Sequence, residues 1–124
     1  MRTILIVCQV VAALGLLNVW LLRSTRATPY RGGDAHSMRE EFAAYGLPAW
    51  FVLVIGVLKV GSALALIAGI WYPALVRPAA LVILVLMLGA LSMHFKVRDP
   101  LMKYAPAAAM LALAVVIVLG TLQR

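Results

Sequence analysis

The chain has 124 residues, 65% of them hydrophobic types and only 12% charged, about half the charged share of an ordinary soluble domain. Eleven Lys/Arg, four Asp/Glu and two His cannot cover the surface of a soluble fold of this size, so the chain belongs in a bilayer. The net charge of +7 would suggest nucleic-acid binding in a soluble protein. Here the basic residues sit in short blocks between apolar runs, which is a pattern of membrane orientation, and no nucleic-acid partner is expected. The single cysteine, Cys8, excludes an internal disulfide, a Cys-x-x-Cys redox pair and a Cys-rich metal site, each of which needs a second thiol.

Four apolar stretches follow in chain order, at residues 3–22, 48–71, 78–95 and 104–122. Each is long enough to cross about 30 Å of hydrocarbon as a helix. The first exceeds the apolar region of a secretory signal and is expected to stay as a span. With no alternation of barrel type, the expected fold is an all-α integral membrane bundle of four transmembrane helices in a single membrane domain.

The first loop holds Ser37-Met38-Arg39-Glu40, a capping-box pattern. Met38, Phe42 and Tyr45 then recur at helical spacing, Gly46 supplies a stop and Pro48 suits the start of the next helix. A short amphipathic helix over residues 38–45 is expected to lie at the interface or cap the bundle. Gly32-Gly33-Asp34 before it reads as a turn, because a phosphate loop would need a preceding strand and a Lys-Ser/Thr. Loops one and three carry Arg23, Arg26, Arg31, Arg39, Lys96, Arg98 and Lys103, against Arg2, Arg77 and Arg124 on the other side. This asymmetry places the two basic loops in the cytoplasm, where they attract anionic lipid headgroups.

Two sets of polar residues fall at membrane depth. Lys59 lies about 16 Å below the basic face, near the midplane, where a lysine needs a partner or a wet cavity. Depth counting brings Gln9 to within a turn of that level, and Ser62 is one turn along from Lys59. No carboxylate lies within a span by this count, so an ion pair would need Glu40, Glu41 or Asp99 to dip inward, or a partner or ligand to supply the charge. A neutral Lys59, or one solvated by Gln9, Ser62 and carbonyls, is the structural alternative. The second set, Asn18, Ser92, His94 and Tyr104, lies within about 6 Å of the basic boundary and is expected to share one hydrogen-bonded site. His94 suits a ligand hydrogen bond or proton transfer, or simply bridges helices at the interface. Scattered Met residues beside it lack ligand spacing, so no metal is expected. Gly61, Ala65 and Gly69, with Ala108 and Ala112, repeat at i, i+4 and are read as the small faces through which helices close or meet another membrane protein.

The segments Gly46-Leu47-Pro48-Ala49-Trp50-Phe51, Ile55-Gly56-Val57-Leu58-Lys59, Met87-Leu88-Gly89-Ala90 through His94, Asp99-Pro100 and Lys103 to Pro106-Ala107 resemble the DoxX-like family of small four-helix membrane proteins, over roughly residues 40 to 120. The resemblance implies a compact four-helix bundle in which the positions of Lys59 and His94 recur. The family's name comes from a subunit of an archaeal thiosulfate:quinone oxidoreductase, while other relatives act as membrane chaperones, cargo receptors or redox-stress partners. That spread carries a fold without an activity.

Three functions are weighed. The first is a non-catalytic accessory or assembly subunit, with no catalytic residue of its own, packing on other membrane subunits or a second copy. The second is a quinone-associated redox subunit in which His94 hydrogen-bonds a quinone carbonyl and Lys59 offsets the charge of a reduced form. The third, a small-molecule or lipid carrier, is disfavoured by the lack of an inverted repeat or broken span. The first is the expected function. No obligatory cofactor is expected, with quinone or a bound lipid as the ligands to look for, and the expected location is a bacterial cytoplasmic membrane.

Overall fold

A computed structural model describes residues 2–22 and 37–122, which form helices and turns without a strand. The charges at Arg23, Arg26, Arg31 and Arg124 and the Gly32-Gly33-Asp34 turn lie outside these residues. Helix α1 (Arg2–Leu17) widens into a π-helical turn over Asn18–Leu22. A short helix α2 (Met38–Ala44) precedes α3 (Ala49–Ala68), α4 (Val76–Lys96) and α5 (Ala105–Leu122). Segments Thr3–Leu21, Trp50–Ala68, Pro73–Lys96 and Leu101–Leu122 are each long and apolar enough to cross a membrane, so the chain is an integral multi-pass membrane protein. Exposed Trp50 and Trp71 bracket α3, about 30 Å apart at 1.5 Å per residue, which matches an aromatic belt at each face of the hydrocarbon.

Helix α2 forms where the sequence places it. The Ser37 hydroxyl accepts the Glu40 N–H at 3.2 Å and donates to the Glu40 carboxylate at 3.3 Å. The helix ends as the glycine predicts. Gly46 has φ +80°, its N–H donates to Ala43 O, and the Leu47 N–H reaches back to Phe42 O, which is a Schellman stop. Pro48 is the N-cap of α3 and not its first residue.

The four spans form a ring in which α1 and α4 each pack on both α3 and α5, while the diagonal pairs α1–α4 and α3–α5 make no close backbone approach. At the end away from α2 the ring is solid. Ala12, Ala13, Ala63, Ala79, Ala80 and Ala114 are buried there with Leu66, Ile83, Val76 and Ile117. A Cβ on Gly69 would run into the Val76 side chain, and one on Gly120 would lie 3.0 Å from Leu5. Arg77 closes this end by donating to the Thr121 hydroxyl at 3.1 Å and to the Thr121 carbonyl at 2.8 Å, a cation on the free carbonyls of the α5 C-terminus.

Only part of the expected small-residue packing is internal. Gly69 is buried and Ala65 packs against the core. Gly61, Ala108 and Ala112 are exposed and face away from the bundle, so they do not close it. The reason is physical: in a bilayer the lipid-facing and core-facing sides are both apolar, and i, i+4 spacing alone does not say which side faces a neighbouring helix.

Candidate functional site: a cavity beneath helix α2

Toward the α2 end the spans separate around a cavity of about 590 Å³, within the size range of small-molecule sites. Its apolar wall includes Leu16, Ile55, Leu86, Met87 and Met110, and its polar lining comprises Asn18, Glu41, Tyr45, Lys59, His94 and Lys103. Val85, 65% exposed, and exposed Gly89 line it from α4. Those residues lie at mid-span, so the cavity opens laterally at membrane depth and not only toward the aqueous face.

Helix α2 roofs this space through its two buried aromatics. The Phe42 ring meets Trp20 edge-on and tilts against Phe51, both at 6.2 Å between centroids. Tyr45 meets the His94 ring edge-on at 5.9 Å. Tyr45 also donates its hydroxyl to Glu41 at 2.7 Å, and its carbonyl accepts from Lys96 Nζ at 2.7 Å. These contacts turn an acidic residue of α2 inward, and Glu41 is buried.

The head of the site is built by the end of α4. Arg98 has φ +56°, a left-handed conformation that costs a side-chain-bearing residue roughly 1 kcal/mol. Its N–H bonds to Phe95 O, and the Asp99 N–H returns to His94 O, so the helix stops in a Schellman geometry without glycine. The turn folds Asp99 back over the helix it has just left. Asp99 Oδ2 lies 2.7 Å from His94 Nδ1 and Oδ1 lies 3.7 Å from Lys103 Nζ. His94 is 5% exposed, and Tyr104 lies against its ring at 5.4 Å.

At the floor, Lys59 Nζ stands 5.3 Å from the centroid of the Trp20 ring, a cation–π distance. The indole fits because position 56 is glycine, where a Cβ would lie 2.9 Å from Trp20 Cζ3. Trp20 Nε1 is buried and has no hydrogen-bond partner among the described residues.

The two expected polar sets are thus partly regrouped. His94 and Tyr104 meet, and Asn18 stands on the cavity wall. Ser92 does not join them: it is exposed and its hydroxyl donates to Leu88 O one turn back at 2.9 Å, the usual satisfaction of a serine on an outer helix face. Gln9 does not reach Lys59. It is wholly buried, and its Nε2 donates to Leu66 O at 3.0 Å, about 10 Å further along α3 than Lys59 at 1.5 Å per residue. Leu66 O is free to accept because the Ile70 N–H goes to Ile67 O as α3 ends. Ser62 is buried but does not line the cavity. The spans themselves hold no carboxylate among the described residues, and of the three that could dip inward, Glu41 and Asp99 do so, turned by the α2 and α4 termini. Tyr45, Lys103 and Trp20 are not among the expected site residues, with only the amphipathic spacing of α2 pointing to Tyr45, and Glu41 and Asp99 enter the sequence reading only as ion-pair partners for Lys59. Among the described residues no group of three His, Cys, Asp or Glu is placed to hold a metal.

The family model for the DoxX-like family matches residues 33–117. The chain is similar to a Bacillus subtilis (strain 168) protein called "Uncharacterized protein YdgD", at 34% identity over 83 residues, covering 66% of this chain and 73% of the relative. No solved structure matches it. The matched region contains α2, the cavity walls of α3 and α4, and the head of the site at His94 and Asp99.

Proposed function

The chain belongs to the DoxX-like family, and on that premise we propose that it is a membrane subunit that binds a lipid-soluble, ring-headed ligand of the quinone class, in a bacterial cytoplasmic membrane. The observation that carries this reading is the cavity itself: apolar walls, a mid-span lateral mouth at Val85 and Gly89, and a polar head at His94. A ligand entering from hydrocarbon can lay its tail along the mouth and its ring among Met87, Ile55 and Trp20. His94 Nε2 is then the nitrogen left to bond the ring's oxygen, because Nδ1 is held by Asp99. Lys59 supplies a positive charge at the opposite end. When bound, such a ligand supplies two-electron redox chemistry, and this chain's residues bind it, orient it and exchange its protons.

Ala90 lines the cavity, and Ala90→Phe places a ring inside it. Saturable binding of decyl-benzoquinone by the full chain in nanodiscs, corrected for partition into empty discs, is expected for the wild type and is lost in Ala90→Phe. Equal, non-saturable uptake by both refutes the reading. A second role, as an accessory subunit, is favoured by the outward-facing Gly61, Ala108 and Ala112. These leave a low-relief surface on which another span can pack closely, and the two roles are compatible.

A further inference from the structure

We propose that the cavity selects a hydroxyl-bearing headgroup, so that the quinol form of the ligand binds in preference to the quinone, with His94 Nε2 as the accepting atom and Asp99 as the positioning residue that makes it an acceptor. The inference rests on the quinone-class reading above and adds a direction to it.

A carboxylate only accepts hydrogen bonds, so the 2.7 Å contact between Asp99 Oδ2 and His94 Nδ1 puts the hydrogen on Nδ1. The charged groups around the ring come from α2, α3, the α4 end and the turn before α5. Asp99 faces the Lys103 ammonium through its other oxygen at 3.7 Å, and Glu41 accepts from Tyr45. Lys96 is turned onto the Tyr45 carbonyl, and Tyr45 and Tyr104 present their rings to the imidazole. Lys59 adds positive charge on the cavity wall. With its hydrogen on Nδ1, the imidazole tautomer carries its lone pair on Nε2. Nε2 makes no hydrogen bond among the described residues, and it is not sealed from the cavity. His94 lines the cavity while Asp99 does not, so Nδ1 points away from the ligand space and Nε2 is the nitrogen left for it.

An acceptor at that point bonds a phenolic O–H and opposes a carbonyl or ether oxygen. One hydrogen bond gained or lost corresponds to about a tenfold change in Kd.

The test compares three probes on the full chain in nanodiscs: decyl-benzoquinone, its quinol, and the quinol's dimethyl ether. The quinol is expected to bind about tenfold tighter than either of the others. Quinone binding as tightly as quinol, or ether matching quinol, overturns the inference while leaving the cavity reading intact. Failure of all three to bind saturably overturns both. Nitrogen NMR of isotopically labelled protein, in a His36→Gln background that leaves His94 as the single histidine, is expected to show Nδ1 protonated and Nε2 bare, and a protonated Nε2 contradicts the proposal. In Asp99→Asn the side-chain amide can donate to Nδ1, so the proton is expected to move to Nε2 and the quinol preference to vanish or reverse. A purely structural role for Asp99 would lower all three affinities together and leave the tautomer unchanged. Should Asp99→Asn fail to fold, the wild-type spectrum and the three probes still decide.

Discussion

Around Leu66 the four spans meet through alanine and glycine and bury their facing side chains, whereas around Lys59, two turns along α3, the same helices stand apart around a cavity of about 590 Å³. Both regions are built from apolar helices, so hydrophobicity does not distinguish them. In a bilayer, helices gain little from excluding lipid and close only where their surfaces fit. The solid half has alanine on several facing helices, with Gly69 and Gly120 admitting Val76 and Leu5. The hollow half instead has Trp20 wedged over Gly56, a roof of aromatics from α2, and the inward-turned groups Glu41, Asp99, His94 and Lys103. The first half keeps the fold, and the second holds what a ligand would touch.

That contrast is open to attack by placing the same change in each half. Ala80→Phe puts a ring where nothing is free to move and is expected to cost more than about 3 kcal/mol or to prevent folding. Ala90→Phe, on the cavity wall, is expected to change stability by less than about 1 kcal/mol while abolishing binding. Thermal or denaturant unfolding in detergent compares the pair, and equal losses would mean the two halves are packed alike.

Leu66→Ala is expected to destabilise by about 2–3 kcal/mol, the cavity share of a core truncation, since transfer to lipid contributes little. Thr121→Val removes the hydroxyl that receives Arg77 and is expected to cost about 1 kcal/mol, read in the same unfolding assay; no loss would reduce the Arg77 contact to a surface pairing. The smallest effect has the opposite sign. Arg98→Gly relieves the left-handed backbone at the turn that carries Asp99 and is expected to gain up to about 1 kcal/mol, and a loss would show that the arginine side chain contributes more than its backbone costs.

The sequence made the solid scaffold legible and the site only in part. Four spans are dictated by length and hydropathy, and α2 by Ser37 and Gly46, whose chemistry is local and specific. Lys59 and His94 stand out because charge and imidazole are costly in hydrocarbon. Asp99 is named there only as a partner for Lys59 and not for His94, because the turn that folds it onto His94 uses Arg98 where a glycine would have announced it. Trp20 reads as one more apolar residue until Gly56 is seen beneath it on another helix. Gln9 was misplaced by depth counting, which cannot foresee that the Leu66 carbonyl is released at the end of α3. Ser92 falls outside the site it is grouped with, and Ala108 and Ala112 stay open between closing the bundle and meeting another span, for one reason: periodicity places residues on a common face without saying whether lipid or protein meets it.

Native mass spectrometry of the full chain ejected directly from its own membrane tests the central claim most directly. The account predicts one lipid-soluble molecule of quinone class retained per chain in the wild type and absent from Ala90→Phe, with both chains equally folded. Masses that differ only by the substitution itself, with no adduct on either chain or the same adduct on both, would contradict it.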